Sequence, residues 1–252
     1  MPRILITGCS SGFGQAIAAR FLNEGWEVVA TMRTPSADGL PASDRLHLLP
    51  LDVTQPESIA AAVAAAGPLD ALVNNAGVGM LNALEGSAME NARELFETNF
   101  LGAMAMTQAV MPAMRMQRSG VIVNVSSSVT LRPLPALSIY SASKAALNAF
   151  TKSFALEAAE FGVRACLVLP GSAPETAFGR NAVARMGMTV PDAYAPFVQA
   201  YFETLQAATE TTQASDVANA VWRAVTDADA PIMQPAGADA EAWFRDAERA
   251  TV

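Results

Sequence analysis

Residues 4–14 read Ile4-Leu5-Ile6-Thr7-Gly8-Cys9-Ser10-Ser11-Gly12-Phe13-Gly14. A short apolar run gives way to a loop with three glycines, and apolar residues at Ile17, Ala18, Phe21 and Leu22 then recur at helical spacing. Strand, glycine loop and helix in that order predict the opening of a βαβ unit. Glycine lets the backbone turn tightly and approach a pyrophosphate, whose charge the first amides and the positive end of a helix stabilise. A glycine loop by itself also suits an ordinary strand-to-helix turn, and it is the flanking strand and helix that favour nucleotide binding. Gly8, Ser10, Ser11, Gly12, Phe13 and Gly14 are therefore candidate dinucleotide contacts, with the two serines as extra hydroxyl donors. Cys9 has no neighbouring cation to activate a thiol and receives no role.

Further short apolar or β-branched runs follow at residues 28–31, 46–49, 71–73, 121–125, 165–169 and 232–233, separated by longer segments of helical periodicity. Repeated right-handed βαβ crossovers predict an α/β fold, a Rossmann-like doubly wound parallel sheet with helices on both faces, and ligands beyond the C-terminal strand ends. Thr54-Gln55-Pro56-Glu57 has the pattern of a capping box opening a helix through the alanine-rich run 60–66, which Gly67-Pro68 ends. No linker divides residues 1–252, so one domain is expected. Residues 173–210 interrupt the alternation with scattered Pro, Gly, Met and aromatic residues, and are a candidate substrate-binding lid.

Composition narrows the function classes. Hydrophobic residues make up 52% of the 252, charged residues 16%, and the net charge is −8. Such a chain folds around a large core, and it lacks the basic patch of a nucleic-acid binder. No apolar run reaches membrane-spanning length and the first residues lead straight into a strand, so a soluble, cytoplasmic protein is expected. There are two cysteines, far apart in sequence, and a single histidine, His47. A metal site built on several histidines cannot be assembled from one, and His47 is not expected to carry the chemistry.

Later strand ends carry further motifs in order: Asp52-Val53, Asn74-Asn75-Ala76-Gly77, Asn99 within Thr98-Asn99-Phe100, Ser126-Ser127-Ser128, Tyr140-Ser141-Ala142-Ser143-Lys144, and Pro170-Gly171. Tyr140 and Lys144, four apart, share one face of a helix and can converge on one bound molecule. A tyrosine normally titrates near 10, and a neighbouring ammonium lowers that value and brings proton exchange closer to working pH. Any one motif is weak evidence, since a Tyr-x-x-x-Lys pair also arises on ordinary helices. From Ile4 to about Gly171 the ordered set resembles the short-chain dehydrogenase/reductase family, single-domain type.

The resemblance implies a nicotinamide-dependent oxidoreductase in which Tyr140 moves a proton and Lys144 both binds the nicotinamide ribose and tunes the tyrosine. Its spacing selects Ser127, thirteen residues before Tyr140, to polarise the substrate carbonyl, with Ser126 and Ser128 as alternates. Asn99 matches the asparagine of a proton relay; its structural alternative is hydrogen bonding inside a helix. Asn75, Ala76 and Gly77 match the segment lining the adenosine side. Asp52 and Val53 match the adenine contact, although Asp52 could instead cap the following helix. Pro170, Gly171 and Thr176 match the nicotinamide end, with the threonine displaced by one place and Pro174 removing a backbone donor. Homodimers or homotetramers through the helix carrying Tyr140 and its neighbour are common in the family, and apolar faces over residues 95–116 and 145–156 suit that.

At the end of the second strand a carboxylate accepts from a ribose hydroxyl, whereas an arginine pairs with a 2′-phosphate. The chain reads Ala30-Thr31-Met32-Arg33, with Met32 at the usual acidic place. NADP(H) is favoured and NAD(H) is possible; a solvated surface charge is the alternative for Arg33. Phe178, Met186, Met188, Tyr194, Phe197, Tyr201 and Phe202 would give a lid an apolar inner surface suited to a small, fairly apolar carbonyl or alcohol, though helix packing accounts for most such residues. Residues 131–137, bracketed by Pro133 and Pro135, are expected to form the opposite wall, and Trp243 and Phe244 to anchor a terminal helix. Two rivals stand beside the oxidoreductase: an NADP(H)-binding redox sensor without turnover, and a sugar-nucleotide epimerase or dehydratase, for which the C-terminal region leaves little room.

Overall fold

A computed structural model describes residues 1–176, 178, 190–206 and 209–250, without the side chains of Phe202, Leu205 and Gln206. Seven strands, β1 (Arg3–Thr7), β2 (Glu27–Met32), β3 (Leu46–Pro50), β4 (Ala71–Asn74), β5 (Gly120–Val125), β6 (Val163–Pro170) and β7 (Met233–Ala236), form one sheet in the order β3-β2-β1-β4-β5-β6-β7. Every pairing is parallel; Ile4 faces Val28 on one side and Ala71 on the other. The helices are α1 (Gly12–Asn23), α2 (Pro56–Ala66), α3 (Met89–Phe96), α4 (Gly102–Gln117), α5 (Ser138–Ala159), α6 (Ala195–Gln206), α7 (Ala214–Thr226) and α8 (Ala238–Ala250).

Strand alternation creates two cores. Ile4 and Ile6 point to one face, where they pack with Ile17 and Phe21 of α1 and Val217 and Val221 of α7. Leu5 points to the other, among Leu72, Ile122, Ile59 of α2 and Met106, Val110 and Met114 of α4. Both faces are covered, which is why the inner strands are almost wholly apolar. Phe21 sits edge-on to Trp26 and Trp222, ring centres 5.1 Å away in each case, and seals the first face at its margin.

One local expectation is corrected. The N-cap of α2 is Gln55, with Pro56 in the first turn and no side-chain cap; the Thr54 hydroxyl donates instead to Asp52 Oδ1 at 2.7 Å. Asp52 accepts from the Thr54 amide as well, so its short side chain closes its own turn rather than capping the helix. Gly67, at φ 70°, ends α2 where expected. Truncating Phe21, which is fully buried, leaves a cavity against two tryptophans. Phe21→Ala should cost about 3–5 kcal/mol, read as a lower urea midpoint with little change in slope.

Candidate active site

The sheet changes direction of winding between β1 and β4, and the turns after these strands approach one another closely. Thr7 Oγ1 accepts from the amides of Asn75 and Ala76 at 3.0 and 2.9 Å, and Asn75 Nδ2 donates to the carbonyls of Thr7 and Gly8. A side chain on Gly8 would meet the Ala76 backbone, and one on Gly14 would strike the Gly8 carbonyl. Gly8 and Gly12 also hold φ of 74° and 59°, a region that favours glycine. Behind this loop α1 begins after Ser11, whose side chain makes no cap, so the first amides of the helix stay available to an anion.

A cavity of about 590 Å³ opens over these strand ends, within the size range of small-molecule sites. Every expected cofactor position except Gly14 lines it: the loop residues Gly8, Ser10, Ser11, Gly12 and Phe13; Arg33, Asp52 and Val53 at one side; Asn75, Ala76 and Gly77 at the β4 turn; and Tyr140, Lys144, Pro170, Gly171 and Thr176 at the other end. Gly14 acts through packing: its missing side chain admits the Gly8 carbonyl and the Asn75 amide. The glycine cradle, the open helix start and the exposed Arg33 suit a dinucleotide carrying phosphates. Met32 ends β2 buried, with its sulfur accepting from the Ser36 amide, and lines the same side. The Asp52 carboxyl is held below its ordinary value by the Thr54 amide and hydroxyl, with a smaller contribution from Arg33.

At the far end, α5 presents Tyr140 and Lys144 to the cavity. Lys144 is 4% exposed, and its Nζ donates to the Val125 carbonyl at 3.0 Å. Ser127 is hydrogen-bonded to the Tyr140 hydroxyl. Ser126 is turned away, donating to Asn148 Oδ1 at 2.5 Å, although it borders the cavity; Ser128 is buried outside it. Of the three serines, Ser127 is the one joined to the tyrosine.

The electrostatics differ from the sequence expectation. Burial pushes the Tyr140 phenol up to about 12, outweighing the lowering by Ser127, and burial holds the Lys144 ammonium down to about 8. Desolvation, not the lysine charge, dominates the tyrosine without a cofactor in place. Its phenol keeps its proton at neutral pH and is a donor. Cys9 is likewise pushed up by burial, to about 12, in keeping with no chemical role.

Asn99 does not line the cavity. It is buried in a π-helical turn, Glu97–Leu101, between α3 and α4, where its side chain both accepts from the Val78 amide and donates to the Val78 carbonyl, at 2.8 and 2.9 Å. It also donates to Ser143 Oγ, which donates in turn to the Tyr140 carbonyl. Asn99 thus ties the turn after β4 to the helix that carries Tyr140. Residues 131–137 are not among those lining the cavity; Val129 and Leu137 pack on Tyr140 from outside it. Of the aromatic residues expected to face the site, Phe178 does, its ring 5.9 Å from that of Tyr140, while Tyr194, Phe197 and Tyr201 do not. Met186 and Met188 lie outside the described residues, as does the Phe202 side chain.

Sequence reading passed over several lining residues. Glu94 and Thr98 reach the cavity from α3 and the π turn, four residues apart on one face. Val78 and Gly79 extend the Asn75–Gly77 turn and needed only the continuation of that motif. Trp243, from α8, stacks beneath the Arg132 guanidinium at 3.6 Å, an anchor against the body. Asp239 and Thr212, behind Gly171, carried no sequence signal at all.

Known proteins resemble this chain in sequence and in fold. The chain is 41% identical over 179 residues to YusZ, an uncharacterized oxidoreductase of Bacillus subtilis; the match takes in 67% of this chain and 64% of that protein. Among solved structures, a short-chain dehydrogenase from Streptomyces avermitilis superposes with a TM-score of 0.82 at 32% identity, covering 99% of this chain and 94% of that one. A short-chain dehydrogenase from Burkholderia cenocepacia in complex with NADP superposes at 0.79 with 26% identity, again over 99% and 94%. A family model described as short chain dehydrogenase matches residues 2–186, and with the sheet order and the cavity above it, the chain belongs to that family.

Proposed function

We propose that the chain is an NADP(H)-dependent oxidoreductase interconverting a carbonyl and a secondary alcohol, with NAD(H) as a poorer cofactor. The observation that carries this is the convergence of Tyr140, Ser127 and Lys144 on one end of a cavity whose other end holds the glycine loop and Arg33. The NADP complex of the Burkholderia relative supports the cofactor class. The bound dinucleotide supplies or accepts the hydride. The residues of the chain do the rest.

In the reducing direction the Tyr140 phenol, whose proton burial holds more firmly, gives that proton to the carbonyl oxygen as charge develops there. Ser127, already joined to that phenol, donates to the same oxygen and steadies it. Lys144 keeps one N–H on the Val125 carbonyl and directs its remaining donors toward the cavity, where a ribose hydroxyl is the matching partner. Asn99 supports the relay from behind by holding the Val78 turn and, through Ser143, the start of α5. Arg33, exposed at the end of β2 with no carboxylate beside it on that strand, is the partner for a 2′-phosphate. Residues 173–210 serve as the lid, with Phe178 setting an apolar surface over Tyr140 for a small, fairly apolar substrate. A homodimer or homotetramer through α4 and α5 belongs to the same proposal: Phe100, Phe150 and Phe154 form an aromatic row there, and Met116 and Leu156 are 77% and 76% exposed.

The test is a panel of carbonyls and alcohols followed at the nicotinamide absorbance with both cofactors. Tyr140→Phe should lose at least about 10²-fold in kcat while binding NADP(H) as wild type does. Cofactor binding with no Tyr140-dependent turnover on any panel member would instead indicate a sensor. Arg33→Ala should weaken NADP(H) by about tenfold, some 1.4 kcal/mol, and leave NAD(H) within twofold; equal losses would remove Arg33 from the phosphate site. For Lys144, whose value is held down by burial, the folded state opposes the charge fully below about pH 8, progressively less up to the ordinary value of 10.5, and not above it. The stability of Lys144→Met relative to wild type, without cofactor, should therefore fall by on the order of 2 kcal/mol between pH 7 and pH 10 in urea unfolding. A difference independent of pH would mean that the ammonium is solvated.

A further inference from the structure

Behind the cavity wall formed by Pro170 and Gly171 lies a pair of buried polar side chains that do not touch the cavity. Thr212, 2% exposed, follows α6 on the return from the lid, and Asp239, 6% exposed, sits in the first turn of α8. The Gly171 amide donates to Thr212 Oγ1 at 2.9 Å and the Ser172 amide to Asp239 Oδ2 at 2.6 Å. The Thr212 amide returns to the Ser172 carbonyl at 2.7 Å. The single Thr212 hydroxyl proton lies between Asp239 Oδ1 and the Ala236 carbonyl of β7, both at 2.8 Å. Every polar backbone atom from the Gly171 amide to the Ser172 carbonyl, the Gly171 carbonyl excepted, is thus engaged from behind.

Two glycines make room for the pair. A side chain on Gly171 would collide with the Asp239 carboxylate, and one on Gly237, at φ 101°, with the Thr212 hydroxyl. A buried carboxylate is costly unless amides and hydroxyls satisfy it, and the positive end of a helix favours it. Asp239 has all three: the Ser172 amide, the Thr212 hydroxyl and the start of α8. The turn at Gly171 and Ser172 follows β6, and Pro170 and Gly171 border the cavity to which Tyr140 and Lys144 are presented.

We propose that Thr212 and Asp239 are positioning residues for the dinucleotide, holding the Pro170-Gly171-Ser172 turn in the shape against which its nicotinamide end rests, so that the C-terminal helix is part of cofactor recognition. This rests on the oxidoreductase reading above. The turn is set before the cofactor arrives, and its shape is not assembled by binding.

The test compares Thr212→Val, which removes the hydroxyl at nearly constant volume, Asp239→Asn, and Thr212→Ser, which restores the hydroxyl. Calorimetric Kd values for NADP+ and NADPH should rise at least tenfold in the first two and stay within twofold of wild type in Thr212→Ser. On any carbonyl that the panel identifies, the rise should appear in the cofactor KM, with kcat at saturating cofactor within about threefold. Hydrogen exchange on wild type gives a reading independent of folding in the variants: the Gly171 and Ser172 amides should already exchange slowly without cofactor. Folded Thr212→Val and Asp239→Asn proteins with unchanged Kd would overturn the positioning role, as would amides protected only once NADPH is added. Wild type that binds neither nicotinamide dinucleotide would overturn the oxidoreductase reading and this one together.

Discussion

The close approach of two backbone turns governs the rest of the molecule. Where β1 and β4 diverge in winding, the Thr7 hydroxyl takes two amides from the β4 turn and Asn75 returns a donor to the glycine loop. That contact is possible only because Gly8 and Gly14 have no side chains. It sets the angle at which α1 leaves the sheet and opens the crevice at the switch in winding. The cavity exists because the sheet is parallel on both sides of this point and every strand end faces the same way.

At the opposite rim the governing physics is desolvation. Tyr140 and Lys144 are both buried, and each is displaced toward its neutral form, the phenol upward and the ammonium downward. The two shifts favour opposite directions of proton flow, a phenol that keeps its proton beside an amine that yields one more readily. A buried hydrogen-bond frame sustains that arrangement: Asn99 and Ser143 reach the Tyr140 carbonyl, and the Val125 carbonyl holds Lys144. The buried ammonium is disfavoured by desolvation and partly compensated by its hydrogen bond to the Val125 carbonyl.

Much of this was legible in the order of residues. All seven strands follow from short apolar or β-branched runs, since in a sheet covered on both faces the strand signal is continuous apolarity. Many of the residues that line the cavity also stood out, because glycines, paired serines and a Tyr-x-x-x-Lys spacing have few other reasons to occur in sequence at strand ends. What escaped were one local competition for a hydrogen bond and several properties created by long-range packing. The Thr54 hydroxyl had a competing acceptor in Asp52, two residues away, and took it in preference to the helix. Asn99 carries a catalytic signature, yet its side chain is spent on backbone twenty-one residues earlier. The direction of the Tyr140 shift depends on how little water reaches it, which no local pattern records. Thr212 and Asp239 meet Gly171 across 41 and 68 positions of chain.

The hydrogen bond from the Thr212 amide to the Ser172 carbonyl has a wider consequence. Where two chain positions are tied at one point, the length of the segment between them is only weakly constrained: closing a longer loop costs little more than closing a shorter one. Such a segment is an exchangeable cassette. A change of length between Ser172 and Thr212 leaves the hydrogen bonds that hold the end of β6 in place. Freedom to vary in length and constancy of the strand end are thereby assigned to different parts of the same chain.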